Sequence, residues 1–99
     1  MFSHIVIFWA NPDLPTAADE IVAGAEKYLR SISGVRHFHC GRMASSPRHD
    51  VVDQSYQVAL NLTFDTKADQ DAYQVHPSHL EFVKQCSANW KRVVVYDFE

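Results

Sequence analysis

The chain has 99 residues, 46% hydrophobic and 21% charged, and a formal net charge of −3, enough for one core and too little for two. Apolar residues spread along its whole length exclude a disordered or fibrous chain. The slight acidic excess, with no dense Lys/Arg run, argues against nucleic acid as a partner. No apolar stretch reaches the roughly 20 residues that cross a bilayer, and no basic segment followed by a small-residue cleavage site opens the chain. Cys40 and Cys86 are too few and too far apart for a disulfide framework. The expectation is one domain over residues 1–99, cytoplasmic and away from membranes, with both thiols reduced.

In chain order, "FSHIVIFW" at residues 2–9 is β-branched and aromatic and is stopped by "ANPDLP", which reads as a first strand and a turn. From Thr16, a candidate N-cap, Ile21, Ala25, Tyr28, Leu29 and Ile32 recur at helical spacing up to Gly34, predicting an amphipathic helix of about four turns. "VRHFHC" predicts a second strand ending near Gly41. "RMASSPRHDVVDQS" is a polar connection long enough to be mobile or functional. In "YQVALNLTF", Tyr56, Val58, Leu60, Leu62 and Phe64 share one face of a third strand, and Gln57, Ala59, Asn61 and Thr63 share the other.

Asp65 and Thr66 are placed to cap a short helix through "KADQDAYQV", and Pro77 forces a break before "SHLEFVKQCSANW". In that second run Leu80, Val83, Ser87 and Trp90, flanked by Phe82 and Cys86, are expected on the buried side. "VVVYDF" predicts a last strand. The order β-α-β-β-α(α)-β defines a ferredoxin-like α+β sandwich: a four-stranded, mainly antiparallel sheet with helices on one face. The other face would carry Ile5, Ile7 and Trp9, an apolar patch that a homodimer packed sheet against sheet would bury.

"HIVIFW", "ISGVRHF…GR", "YQVALNLTF", "AYQVHPSHLEFV" and "VVVYDF", in this order and at this length, resemble the stress-responsive A/B barrel (Dabb) family. The likeness covers all but the loop at about 43–54, and "HPSH" with His4 is its most specific part. It implies a dimeric α+β barrel. Most members have no assigned reaction. A similar plant polyketide cyclase, olivetolic acid cyclase, performs an aldol cyclisation without cofactor or metal, in a pocket between helices and sheet. Its catalytic tyrosine and histidine fall on Tyr73 and His79, and its first-strand histidine on His4. Its third-strand histidine falls on Val58 and a pocket tyrosine near Ala25, so polar groups of that pocket are missing here.

The residue types suit such chemistry. Histidine, with an unperturbed pKa of about 6.5, accepts a proton near neutrality. A phenol of pKa about 10 donates a hydrogen bond to an enolate oxygen. His4, Tyr73 and His79 are therefore the candidate catalytic residues, and Val58, Leu60, Phe82 and Trp90 the candidate pocket walls, for a small carbonyl or polyketide-like ligand.

Each has a structural alternative: a half-buried, satisfied histidine for His79, a core aromatic for Tyr73. His76, beside Pro77, is expected to cap a helix. Grouping His4, His76 and His79 as a zinc site is disfavoured, because Pro77 interrupts the helix between two of them and no carboxylate or cysteine completes the set. His37 and His39 alternate onto a face expected to meet solvent or a second protomer. Cys40 and Cys86 read as core residues. A non-catalytic stress or interaction protein, and a monooxygenase of the related dimeric barrels, are the alternatives to a cofactor-free cyclase or lyase.

Overall fold

The computed structural model describes residues 1–47 and 50–99; Arg48 and His49, in the polar connection, lie outside the described residues. The alternating first segment forms β1 (Phe2–Ala10), with Phe2, His4, Val6 and Phe8 buried and the residues between them half-buried. The remaining elements are α1 (Ala17–Tyr28), β2 (His37–Arg42), β3 (Val58–Phe64), α2 (Lys67–Gln74), α3 (Pro77–Cys86) and β4 (Trp90–Phe98), with a single 3-10 turn, Ser87–Asn89, before β4.

The sheet order is β2-β3-β1-β4, and every neighbouring pair is antiparallel. Both α1 and the α2–α3 pair cover the face that carries Phe8, Leu60, Leu62 and Phe64, as one helical layer over an apolar face requires.

α1 is shorter than its periodicity predicts. It closes at Leu29, after which Ile32 N–H donates to Leu29 O and Val35 N–H to Ile32 O, so the tail tightens into i to i−3 turns. Leu29 and Ile32 stay buried in that tail, and Gly34 turns the chain with φ +97°. Thr16 occupies the N-cap position without a capping bond from its hydroxyl, whereas Thr66 accepts from Asp69 N at 3.2 Å.

The C-terminal helix departs further from expectation. α3 buries Phe82 and Cys86, while Leu80 points outward and Val83, half-exposed, borders the space between sheet and helices. Trp90 belongs to β4, opposite Ala10. A helix that starts only at Pro77 and ends at Cys86 is too short to carry the face from Leu80 to Trp90.

Close packing of α1 on α3 depends on Gly24, since a Cβ there would run into Cys86 Sγ and touch the Phe82 ring. Gly24→Ala is expected to destabilise the fold by about 1 to 3 kcal/mol despite alanine's better helix propensity. Cys86→Ala in the same chain should recover most of that loss, as read from urea unfolding midpoints.

On the other side of the sheet, the register aligns Ile5 with Tyr96, Ile7 with Val94 and Trp9 with Arg92. Tyr96 and Phe98 remain 59% and 58% exposed. His37 and His39 lie on this same uncovered face of β2, opposite Thr63 and Asn61. The face expected to be bare is bare, and it is apolar along β1 and β4.

Candidate functional site

Three elements deliver one aromatic or imidazole ring each to the same place under the helices. His4 lies on the buried face of β1, and antiparallel pairing sets Asp97 of β4 directly opposite. Asp97 Oδ1 is 2.5 Å from His4 Nδ1. Tyr73 is buried through the last turns of α2. The chain then breaks at Val75, His76 Nδ1 accepts from Ser78 N at 3.0 Å, and Pro77 opens α3. This brings His79, in the first turn of α3, back over Tyr73. Ser78 Oγ also donates to Tyr28 O, fixing this turn against α1.

The rings meet edge to face. Tyr73 lies 4.9 Å from His79, 5.8 Å from His4 and 5.2 Å from Phe64, centroid to centroid. His4, Tyr73 and His79 all line a cavity of about 590 Å³ between sheet and helices, a size suited to a small molecule. The walls include Leu60, Phe82 and Trp90 together with Val6, Phe8 and Val95. Phe8, Phe82 and Trp90 form an aromatic cluster, with Phe8 and Trp90 5.0 Å apart and Phe82 and Trp90 5.7 Å apart. Val58 does not line the cavity. Paired with Phe8 on one side and Arg42 on the other, it is fully enclosed in the core.

The polar network around His79 sets its tautomer. Gln70 Nε2 donates to Gln74 Oε1 at 2.9 Å, which turns the Gln74 amide nitrogen toward His79 Nε2, 3.4 Å away. Nε2 is then the accepting nitrogen, and the ring proton sits on Nδ1. Among the described residues, His79 Nδ1 is the one buried side-chain polar atom with no hydrogen-bond partner. Leaving such a group unpaired costs stability, and the places where folds tolerate this are commonly functional.

Burial, helped by the neighbouring His4, lowers the His79 pKa below its ordinary 6.5, so its ring is neutral at neutral pH. Burial pushes the Tyr73 phenol well above its ordinary value, so it stays a donor. The pair thus offers one acceptor and one donor to the same volume.

A pH dependence follows. A His79 pKa lower in the folded than in the unfolded chain means that unfolding takes up a proton between the two values, so stability rises with pH there. The penalty is absent above about pH 6.5 and grows as pH falls through the folded value. The thermal midpoint of His79→Gln should therefore decline less than that of the parent chain between pH 7.5 and 5. Parallel declines would remove this group from the balance.

His76 is set apart from the other two histidines, since its ring is committed to capping α3. Among the described residues, no group of three or more His, Cys, Asp or Glu side chains is placed to hold a metal ion. Both cysteines are free and buried; burial pushes the Cys40 thiol up to about 12 and raises that of Cys86. Neither is a thiolate nucleophile at neutral pH.

Sequence reasoning missed Asp97, Gln70 and Gln74. A signal for the first was present: Asp97 is the one acid in "VVVYDF" and shares its strand face with Val93 and Val95. The glutamines lie one helical turn apart on α2, and Gln70 is three residues before Tyr73.

A split-βαβ sheet covered on one face, with a histidine–tyrosine cluster in the pocket beneath its helices, defines a ferredoxin-like α+β domain with a candidate small-molecule site. The chain belongs to the stress responsive A/B barrel domain family, whose model matches residues 2–99. It is 33% identical over 97 residues to the stress-response A/B barrel domain-containing protein At5g22580 of Arabidopsis thaliana, covering 98% of this chain and 84% of the relative.

Among solved structures it is similar to a hydroxynitrile lyase from Passiflora edulis, with a TM-score of 0.79, 22% identity, and coverage of 98% of this chain and 90% of the other. It is also similar to a dimeric ferredoxin-like protein of unknown function from Thermobifida fusca, with a TM-score of 0.77, 19% identity, and coverage of 98% and 88%. At these identities the structural likenesses establish the fold. No helix of the described residues is long and apolar enough to cross a membrane.

Proposed function

We propose that this chain acts as a cytoplasmic homodimer, packed through its open sheet faces, and that each protomer performs acid–base chemistry on a small carbonyl or polyketide-like compound without a cofactor. The observation that carries this reading is the meeting of His4, Tyr73 and His79 on the wall of one cavity, with His79 kept neutral. In the working step, His79 Nε2 takes a proton from the carbon next to the carbonyl, in place of its long contact with Gln74. The C–H electron pair moves to the carbonyl oxygen, which Tyr73 holds by a hydrogen bond.

The resulting enolate attacks a second carbonyl, forming a carbon–carbon bond, and the imidazolium returns its proton to the new alkoxide. His4, tied to Asp97, supplies a further polar contact beside Tyr73. Support for carbonyl chemistry comes from the hydroxynitrile lyase of the same fold, because a hydroxynitrile is the adduct of a carbonyl compound. Support for the dimer comes from the uncovered apolar face and from the dimeric Thermobifida protein.

Proton exchange tests the site before any physiological substrate is known. In D2O, the chain should accelerate deuterium incorporation next to the carbonyl of 4-phenylbutan-2-one, followed by NMR. A rate no higher than that of buffered imidazole at the same concentration would refute the acid–base role.

A further inference from the structure

We infer that the cavity selects uncharged carbonyl compounds and rejects carboxylates, through an acidic rim formed by Asp71, Asp97 and Glu99 at its polar end. This names the substrate class of the site proposed above and rests on that reading.

The cavity has one apolar and one polar end. Along β1, Phe8 stands among Phe82 and Trp90, and His4, four residues away and therefore about 13 Å distant, stands beside Tyr73 and Asp97. Val6 and Leu60 lie between the two ends, opposite each other across β1 and β3. A ligand whose carbonyl reaches Tyr73 and His79 thus places its remainder against aliphatic and aromatic walls.

Charge at the polar end is one-sided. The lining includes three carboxylates, Asp71, Asp97 and Glu99, and a single ammonium, Lys67. Lys67 Nζ is already held by Asp71 at 2.9 and 3.0 Å. All three carboxylates favour the charged Lys67, Asp71 foremost. Asp97 faces His4. An anionic head group brought to Tyr73 would therefore meet like charge, with no unclaimed cation among the described residues of the lining to receive it. A cationic ligand would be drawn to the rim but would have to shed its hydration against apolar walls, a cost that an uncharged ketone avoids.

The test uses two molecules of nearly equal shape, 4-phenylbutan-2-one and 3-phenylpropanoate, titrated into the chain at low salt and followed by the NMR signals of His4, Tyr73 and His79. The ketone is expected to bind about tenfold or more tightly than the carboxylate, with the gap narrowing as salt is added. Asp71→Asn combined with Glu99→Gln should shift the ketone-to-carboxylate affinity ratio about tenfold toward the carboxylate.

Equal or tighter carboxylate binding by the parent chain, or a ratio unmoved by the double variant, would overturn the rim's role while leaving the carbonyl site standing. If neither molecule perturbs the three residues, the carbonyl site itself fails and the rim's role with it.

Discussion

Exchanging His79 for glutamine is expected to lower the rate of ketone proton exchange by about 10² to 10⁴-fold, the range set by loss of a positioned base. Glutamine retains a polar side chain of similar reach but cannot accept and carry the proton. Because it also removes an enclosed, unpaired ring nitrogen, the variant should be at least as stable as the parent chain at pH 7.

Tyr73→Phe isolates the other half of the pair. It keeps the edge contacts with His4, Phe64 and His79 and deletes the hydroxyl, for an expected loss of about 10² to 10³-fold. Near-full exchange activity in both variants, with folding intact, would make the histidines structural and leave a binding or interaction protein as the reading.

The second large effect concerns assembly. Ile7 sits in the middle of the open face, between Ala59 on β3 and Val94 on β4. In a two-fold sheet-to-sheet dimer, Ile7→Glu would bury two unpaired carboxylates in one apolar contact. An uncompensated buried charge costs about 3 to 5 kcal/mol, so dimer affinity should fall by about 10³-fold or more. Sedimentation equilibrium should show a dimer for the parent chain and a folded monomer for the variant. A variant that still dimerises would place the contact elsewhere. The helix-side cavity belongs to one protomer, so monomeric Ile7→Glu should still bind the ketone.

Where the sequence pattern was strict, it foretold the structure. Alternation in β1 and β3 assigned His4 to the helix face and Ile5, Ile7 and Trp9 to the open one, because a strand has a period of two and little freedom to rotate. Thr66 and His76 were legible as caps because each stands before a helix with an acceptor aimed at free amides.

The pattern misled where a helix was short. Ten residues of α3 leave its orientation to the docking of Phe82 and Cys86 against α1 and β1, which buries those two and turns Leu80 outward. The apolar character of Trp90 fits either element, and the 3-10 turn before it, which ends the helix and starts the strand, has no strong sequence marker.

The candidate site was legible in part. The resemblance pointed to His4, Tyr73 and His79, and the fold brings their rings together. The Asp97 partner was not legible, because it depends on the register of β1 against β4, a long-range pairing no local pattern encodes. The Gln70–Gln74–His79 chain likewise depends on how α2 and α3 meet across the break at Val75 and His76. Val58 shows the converse: its strand face was correctly read, but whether a buried residue borders space or only other side chains is decided by packing around it.

The position of a bound ketone tests the central claim most directly. In a crystal structure with 4-phenylbutan-2-one, its carbonyl oxygen should lie within hydrogen-bond distance of the Tyr73 hydroxyl, about 2.6 to 3.0 Å. Its α-carbon should lie beside His79 Nε2, and its ring against Phe82 and Trp90. A ketone seated elsewhere, or in this cavity with its carbonyl turned away from Tyr73 and His79, would contradict the assignment of these two residues as donor and base.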